Sequence, residues 1–250
     1  MSENDQFLGI EQQYSHYSHF VAGETAQTGR FPALRNAGRH LASALEEFRA
    51  REDVIILGLV LGGVPVAFEV AEHLGLPLDF VILRRLLAPQ GPDSQVCAVN
   101  VAGSLVLDEE LPPQPAVPES ALDYFVSDAL DGLADRERVC RGRRPAVELG
   151  QKTILLVDCG IRTGSTMRAA IRALRKKAPA QIIAAVPVAS AEGRAAIESI
   201  ADKVICLASP EPFGHVGLWY KDFSRPDDHQ ISELLRQPPS FAMGFQTYSV

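Results

Sequence analysis

The chain predicts an α/β fold in which a mostly parallel sheet carries helices on both faces. Three observations lead there. Apolar runs of strand length alternate with segments of helical periodicity along most of the chain. The runs Val54-Ile-Ile-Leu-Gly-Leu-Val-Leu61 and Ile154-Leu-Leu-Val157 are continuously apolar, as strands buried on both faces must be. Each of these two runs closes on a glycine-bearing turn from which a helical segment starts at once.

Element by element, residues 1–30 carry Gln, Ser, His and Tyr without sustained period and predict an N-terminal arm, leaving residues 31–250 as the folded domain. Pro32 suits the first turn of a helix on which Leu34, Ala37, Leu41, Ala44, Leu45 and Phe48 share a face, ending near Arg49 to Arg51. After the strand at Val54 to Leu61 and the Gly62-Gly63 turn, Val66, Ala67, Val70, Ala71 and Leu74 make an amphipathic helix stopped by Gly75. A second strand follows at Leu78 to Leu83. Ala88 to Asp93 is rich in Pro and Gly and reads as a loop, and Val96 to Leu107 as an antiparallel hairpin or flap. Leu111 to Pro118 should be extended, with a helix from about Ala121 to Arg141. Strands at Thr153 to Asp158, Gln181 to Val186 and Lys203 to Leu207 then alternate with helices at Gly164 to Lys177 and Ala191 to Ile200. Ser209 to Asp222, with two Pro, two Gly and aromatics out of period, reads as a functional cap, before a helix at Asp228 to Arg236 and an irregular tail.

The charge balance excludes some partners. With 31 acidic and 24 basic side chains among 250 residues the formal charge is −7, so the overall field repels nucleic acid and anionic lipid. An anionic ligand must be captured by local geometry. No apolar run reaches the roughly 18 residues that would span a bilayer, and Met1 to Gln6 is polar and acidic, so a cytoplasmic location is expected. Four scattered cysteines form no C-x-x-C pair, and six histidines show no ligand spacing. Reduced thiols and no direct metal site are expected.

The strongest chemical signal is the segment Ile154-Leu-Leu-Val-Asp-Cys-Gly-Ile-Arg-Thr-Gly-Ser-Thr-Met-Arg168. A buried strand ends in an acid, a turn presents successive backbone N–H groups, hydroxyls surround it, and a helix begins. That combination binds phosphate without net positive charge, through oriented amides and the helix dipole. Spacing excludes a Walker A loop, because three residues rather than four separate Gly160 from Gly164 and Ser165 stands where lysine is required. Neither this turn nor Gly58 to Gly63 supplies the G-x-G-x-x-G of a dinucleotide site. The plainer alternative is a turn that only satisfies backbone geometry and caps the helix.

Val157-Asp-Cys-Gly-Ile-Arg-Thr-Gly-Ser-Thr166 resembles the ribose-phosphate loop of the type I phosphoribosyltransferases, and in particular a group of bacterial members. Arg35-Asn-Ala-Gly38, Leu61-Gly-Gly-Val-Pro-Val-Ala67, Pro187-Val-Ala189, Pro210-Glu-Pro-Phe213, Val216-Gly217, Tyr220 and Asp222-Phe-Ser224 follow that group's order, covering about Arg30 to Arg236. The resemblance implies a parallel sheet with flanking helices, a flap and a small hood. It also implies transfer of the phosphoribosyl group of 5-phosphoribosyl 1-diphosphate to a planar nitrogenous acceptor, with release of diphosphate. Magnesium would be held through the ligand, with no direct protein site, and the assembly would be a homodimer.

The same resemblance assigns residues. Asp158 would accept from the ribose hydroxyls as the catalytic acid group, and Cys159, Gly160, Ile161, Arg162, Thr163, Gly164, Ser165 and Thr166 would complete the 5-phosphate loop. Leu61, Gly62 and Gly63, with Arg84 and Arg85 after the second strand, would hold diphosphate. Phe213, Trp219 and Tyr220 would stack the acceptor in the hood, or form local core. Three positions depart from the family pattern. Leu61 stands where a basic residue is usual, so the amides remain and the charge is gone. Cys159 replaces a second acid, and a thiol is no charged acceptor; a small side chain turned inward is the alternative. Arg162 stands where alanine or aspartate is usual and cannot be a general base. These departures motivate a second expectation, a catalytically degenerate module that binds a nucleotide or sugar phosphate for regulation. On the first expectation, Cys159→Asp raises donor affinity.

Overall fold

The structure is a computed structural model that describes residues 29–87, 95–101, 104–109 and 119–237. The arm expected at 1–30 therefore lies almost wholly outside the described residues, as do the loop at Ala88 to Asp93, the extended stretch at Leu111 to Pro118 and the tail after 237.

One sheet organises the chain, in the order β4-β3-β2-β1-β5-β6-β7. Strands β2 (Leu78–Leu87), β1 (Val54–Leu59), β5 (Thr153–Val157), β6 (Gln181–Val188) and β7 (Lys203–Ala208) run parallel. The predicted hairpin is β3 (Gln95–Val101) and β4 (Ser104–Glu109), and it extends the sheet antiparallel from β2. A mixed sheet of this kind, parallel in its centre with helical crossovers, is a doubly wound α/β fold.

The strands are apolar throughout because alternate residues serve different cores. In β1, Val54 and Ile56 enter one core while Ile55, Leu57 and Leu59 enter the other; in β5, Leu155 and Val157 oppose Ile154 and Leu156. Helices α1 (Leu34–Ser43) and α2 (Gly63–Leu74) cover the first face, through Leu34, Ala37, Leu41, Val66, Val70 and Leu74. Helices α4 (Ser165–Arg175) and α5 (Ala191–Glu198) cover the second, through Met167, Ala170, Ile171, Leu174 and Ile197. A third cluster joins Phe80 and Ile82 of β2 to α3 (Glu119–Arg141) and α6 (Asp228–Arg236), through Leu133, Cys140, Ile231 and Leu235.

Two helix boundaries differ from the sequence expectation. Helix α1 stops at Ser43, and the chain tightens to a 3-10 turn at Glu46–Phe48, which still buries Phe48. Its start is displaced because Phe31 is claimed by the cap segment: the Phe31 N–H donates to Trp219 O at 2.8 Å and Lys221 N–H returns to Phe31 O at 2.8 Å. Pro32 thus links this bridge to α1 and is not in the first helical turn. Elsewhere local chemistry decides. Helix α2 ends at Gly75, whose N–H donates to Ala71 O at 2.9 Å, and α6 opens with a capping box between Asp227 and Gln230.

Charged groups that are buried sit away from the carboxyl ends of the central strands and are paired. Asp79, at the start of β2, accepts from Arg141 of α3 at 3.0 Å, and the guanidinium lies 4.6 Å from the Phe80 ring centroid. Glu69 of α2 is held by Arg35, and by Arg39 at 2.8 Å, both from α1. The first pair ties α3 to β2 and the second ties α1 to α2, and both leave the strand ends for the site.

Candidate functional site

Going outward from β1 in the sheet, the chain turns to β2 on one side and returns at β5 on the other. The crevice at the carboxyl ends of β1 and β5 is therefore the topological switch point, where open α/β sheets take ligands. A cavity of about 460 Å³ lies there, lined by Val60 to Gly62 after β1, Asp158 to Met167 after β5, Leu83 of β2, Val216 from the cap and Arg225 from the segment that follows it. Its volume is that of a small-molecule site.

The two turns are locked together by glycines. A Cβ on Gly63 would lie 2.5 Å from Val157 O and 2.9 Å from Asp158 Cα; one on Gly62 would lie 2.7 Å from Cys159 Sγ. Side chains at either position would part the turns. The Val60–Leu61 peptide between strand and turn is cis.

From β5 the chain enters the predicted loop. Asp158 Oδ1 accepts from Cys159 N–H at 2.7 Å, an arrangement that holds the carboxylate at the strand end. Ile161 N–H donates to Val188 O at 2.9 Å and Ser190 N–H to Ile161 O at 2.8 Å, extending the β5–β6 pairing into the loop. The Ser190 hydroxyl donates to Arg162 O and accepts from Gly193 N–H at 2.9 Å, so one side chain caps α5 and fixes the loop. Gly164 takes φ 78°, a conformation that side chains avoid, and turns the chain into α4 with no side-chain cap on that helix's N-terminus. Arg162 and Thr163 are exposed, Ser165 and Thr166 half-buried, and Thr163 Oγ1 lies 3.3 Å from Ser165 Oγ.

The structure brings Leu61, Gly62 and the whole run Asp158 to Thr166 onto one cavity wall. Gly63 stands just behind, against Asp158. It does not bring Arg84 there. That guanidinium lies along α3, where a Cβ on Gly132 would be 2.7 Å from its Nη1, because Leu83 is the β2 residue that faces the cavity and its neighbour must face away. The side chain of Arg85 is outside the described residues.

The cap aromatics are likewise placed differently from the expected stacking surface. Phe213, Trp219 and Tyr220 are buried in the first core and do not line the cavity. Trp219 Nε1–H donates to Phe213 O at 3.1 Å, and the Tyr220 hydroxyl donates to Cys159 O at 2.5 Å. The Trp219 bond closes the cap on itself and the Tyr220 bond fastens it to the loop, which satisfies buried donors that a stacking role would leave wet. Val216 of the cap and Arg225 just after it line the cavity instead.

Cys159 turns inward. The residue is 4% exposed and belongs to the core, and burial, with the Asp158 carboxylate beside it, pushes the thiol well above its ordinary pKa. It stays a neutral thiol, not a nucleophile. In Cys159→Asp the new carboxylate would be buried against Gly62 and next to Asp158, so a loss of about 3 kcal/mol or more of stability is expected in urea unfolding.

Sequence reasoning missed Ser190 and Arg225. Ser190 before an acidic residue is an ordinary N-cap signal, but nothing local ties it to a loop 28 residues away. Arg225 reaches the Gly62 turn from the other end of the chain: its Nε is 3.8 Å from where a Gly62 Cβ would be, and its guanidinium lies 4.8 Å from the Phe223 ring centroid. It supplies a cation beside the turn in which Leu61 removes one.

Among the described residues no three or more His, Cys, Asp or Glu side chains converge as a metal site, and no helix is long and apolar enough to cross a membrane.

Comparison with known proteins agrees with this geometry. Residues 27–222 match the phosphoribosyl transferase domain. Two curated Mycobacterium tuberculosis proteins, from strains CDC 1551 / Oshkosh and ATCC 25618 / H37Rv, are each 34% identical to this chain over 200 residues, 80% of its length, and their names assign them provisionally to the phosphoribosyl transferases. The chain spans 45% of the length of those relatives. The crystal structure of TT1426 from Thermus thermophilus is 34% identical, with a TM-score of 0.70 over 82% of this chain and 97% of that one. With its switch-point loops, its parallel sheet and a domain match that runs through both, the chain belongs to the phosphoribosyl transferase family.

Proposed function

We propose that the chain transfers the phosphoribosyl group of 5-phosphoribosyl 1-diphosphate to a planar nitrogenous acceptor and releases diphosphate. The observation that carries this reading is the apposition of two anion-suited turns, Leu61-Gly62-Gly63 and Arg162 to Thr166, on either side of Asp158 in one cavity. The distal turn and the N-terminus of α4 suit the sugar 5-phosphate, since amides and hydroxyls bind it without net charge. Asp158 suits the ribose hydroxyls between the two turns. The Gly62 turn, with Arg225, suits the diphosphate.

The reaction breaks the C1–O bond to diphosphate, which departs with the electron pair, and forms a bond from C1 to the acceptor nitrogen. The chain's contribution is positioning and stabilisation of the leaving charge. A magnesium ion would be held by diphosphate and sugar oxygens, with Asp158 the nearby carboxylate, and would neutralise part of the diphosphate charge.

Isothermal titration with 5-phosphoribosyl 1-diphosphate and magnesium, joined to an assay for diphosphate release against a panel of heterocyclic acceptors, tests the proposal. Magnesium-dependent binding with release for some acceptor supports it. A second reading, a phosphate-binding module without turnover, is favoured by Leu61 and by the inward Cys159, which leave the site with fewer charged contacts than the family pattern; nucleotide or sugar-phosphate binding without release would favour it. Failure to bind any phosphate compound overturns both. Arg225→Met is expected to weaken donor binding about tenfold, the worth of one charge-assisted contact, while leaving inorganic phosphate binding at the distal turn unchanged.

A further inference from the structure

Helix α5 stands behind the distal turn. Neither Ser190, its N-cap, nor Gly193 in its first turn lines the switch-point cavity, whereas Ile161, Arg162 and Thr163 do. Gly193 permits close contact: a Cβ there would lie 2.7 Å from Ile161 Cγ2 and 2.8 Å from the Arg162 carbonyl carbon. Ser190 then takes two successive carbonyls of the turn. Its N–H donates to Ile161 O at 2.8 Å and its hydroxyl to Arg162 O.

Peptide geometry converts that hold into a direction. In a planar trans peptide the C=O of one residue and the N–H of the next point opposite ways, and neither the Ile161–Arg162 nor the Arg162–Thr163 peptide is cis. With both carbonyls drawn back onto Ser190, the N–H groups of Arg162 and Thr163 point away from α5, toward the cavity side. Neither has an acceptor among the described residues. The Ile161 N–H, by contrast, is spent on Val188 O at 2.9 Å. Adjacent backbone donors open to a cavity make an anion-binding concavity.

We propose that Ser190 is a positioning residue for phosphate: it touches no ligand, and by holding Ile161 O and Arg162 O against α5 it aims the Arg162 and Thr163 N–H groups at the phosphate oxygens. This role rests on the proposed reading of the turn as the sugar 5-phosphate site, to which it adds the residue that orients the donors. The hydroxyl acts twice, since it also accepts from Gly193 N–H at 2.9 Å as the cap of α5. The two roles separate on substitution, because glycine keeps most of the capping preference of serine while removing the hydroxyl.

The probes are inorganic phosphate and, with magnesium, 5-phosphoribosyl 1-diphosphate, titrated calorimetrically and followed by the amide proton resonances of the full chain. In the unaltered protein the Arg162 and Thr163 resonances should move downfield as phosphate is added. Ser190→Ala and Ser190→Gly should each weaken phosphate and donor by a similar factor, about tenfold, the worth of one charge-assisted hydrogen bond, and diminish the shift at both amides. Arg225→Met provides the contrast, since it is expected to weaken the donor alone. Unchanged phosphate affinity in Ser190→Ala would overturn the proposal, because the turn would then be set without the hydroxyl. Loss in Ser190→Ala with retention in Ser190→Gly would overturn it too, leaving Ser190 only the helix cap. So would phosphate binding that moves neither amide. An unaltered protein that binds no phosphate would sink the reading of the turn along with the role of Ser190, a result distinct from the other three.

Discussion

Gly63→Ala is expected to abolish measurable binding of the phosphoribosyl donor and to lower stability by about 1–3 kcal/mol. The added methyl would lie 2.5 Å from Val157 O and 2.9 Å from Asp158 Cα, both backbone atoms, and 3.3 Å from Asp158 Oδ1. No rotamer change relieves such contacts, so the turn after β1 must move away from the turn after β5. Those two turns are the walls of the site, and displacement by a fraction of an ångström there costs binding as well as packing. Gly150→Ala provides the control. Its nearest neighbour would be Lys177 O at 3.8 Å, an ordinary van der Waals distance, and it is exposed. That change is expected to stay within about 0.5 kcal/mol. Urea unfolding and donor titration on both variants separate the two effects. Donor affinity retained in Gly63→Ala would mean that the Gly62-Gly63 turn takes no part in the site.

What could be read from the sequence was local or periodic. The central strands and α6 are found close to where the sequence reading puts them, because burial of a whole strand and closure of a helix end are decided within a few residues. The loop from Asp158 to Thr166 is legible for the same reason: strand, acid, turn and helix are contiguous. The parts that misled depend on contacts across the chain. Phe31 pairs beside Tyr220 through contacts that no local pattern announces, and this moves the start of α1. Trp219 and Tyr220 have the composition of a stacking lid and of a core equally, and only their burial, with the hydrogen bond from Tyr220 to Cys159 O, decides between them. Arg84 and Leu83 differ by one position in a strand, so their assignment to opposite faces turns on β2 alternation relative to a cavity that the sequence does not display. Arg225 reaches the Gly62 turn from a position more than 160 residues later in the chain, a contact no local pattern announces.

Asp158→Asn is expected to weaken donor binding by about tenfold to a hundredfold while leaving the fold intact. Asparagine keeps an oxygen in place of Oδ1, so the 2.7 Å hydrogen bond from Cys159 N–H, which sets the strand end, has an acceptor in the variant as well. What is lost is the negative charge and one acceptor, the two properties that a pair of sugar hydroxyls would use. Stability in urea should therefore change by less than about 1 kcal/mol. The phosphate turn, built from backbone and hydroxyl donors at Arg162 to Thr166, is untouched, and inorganic phosphate should bind as before. Asp158→Ala removes the acceptor for Cys159 N–H too, and is expected to weaken phosphate and donor alike by loosening the turn. The contrast assigns the residue. A selective loss for the donor in Asp158→Asn places the sugar between the two turns, whereas an equal loss for phosphate and donor would show that Asp158 serves only to shape the loop.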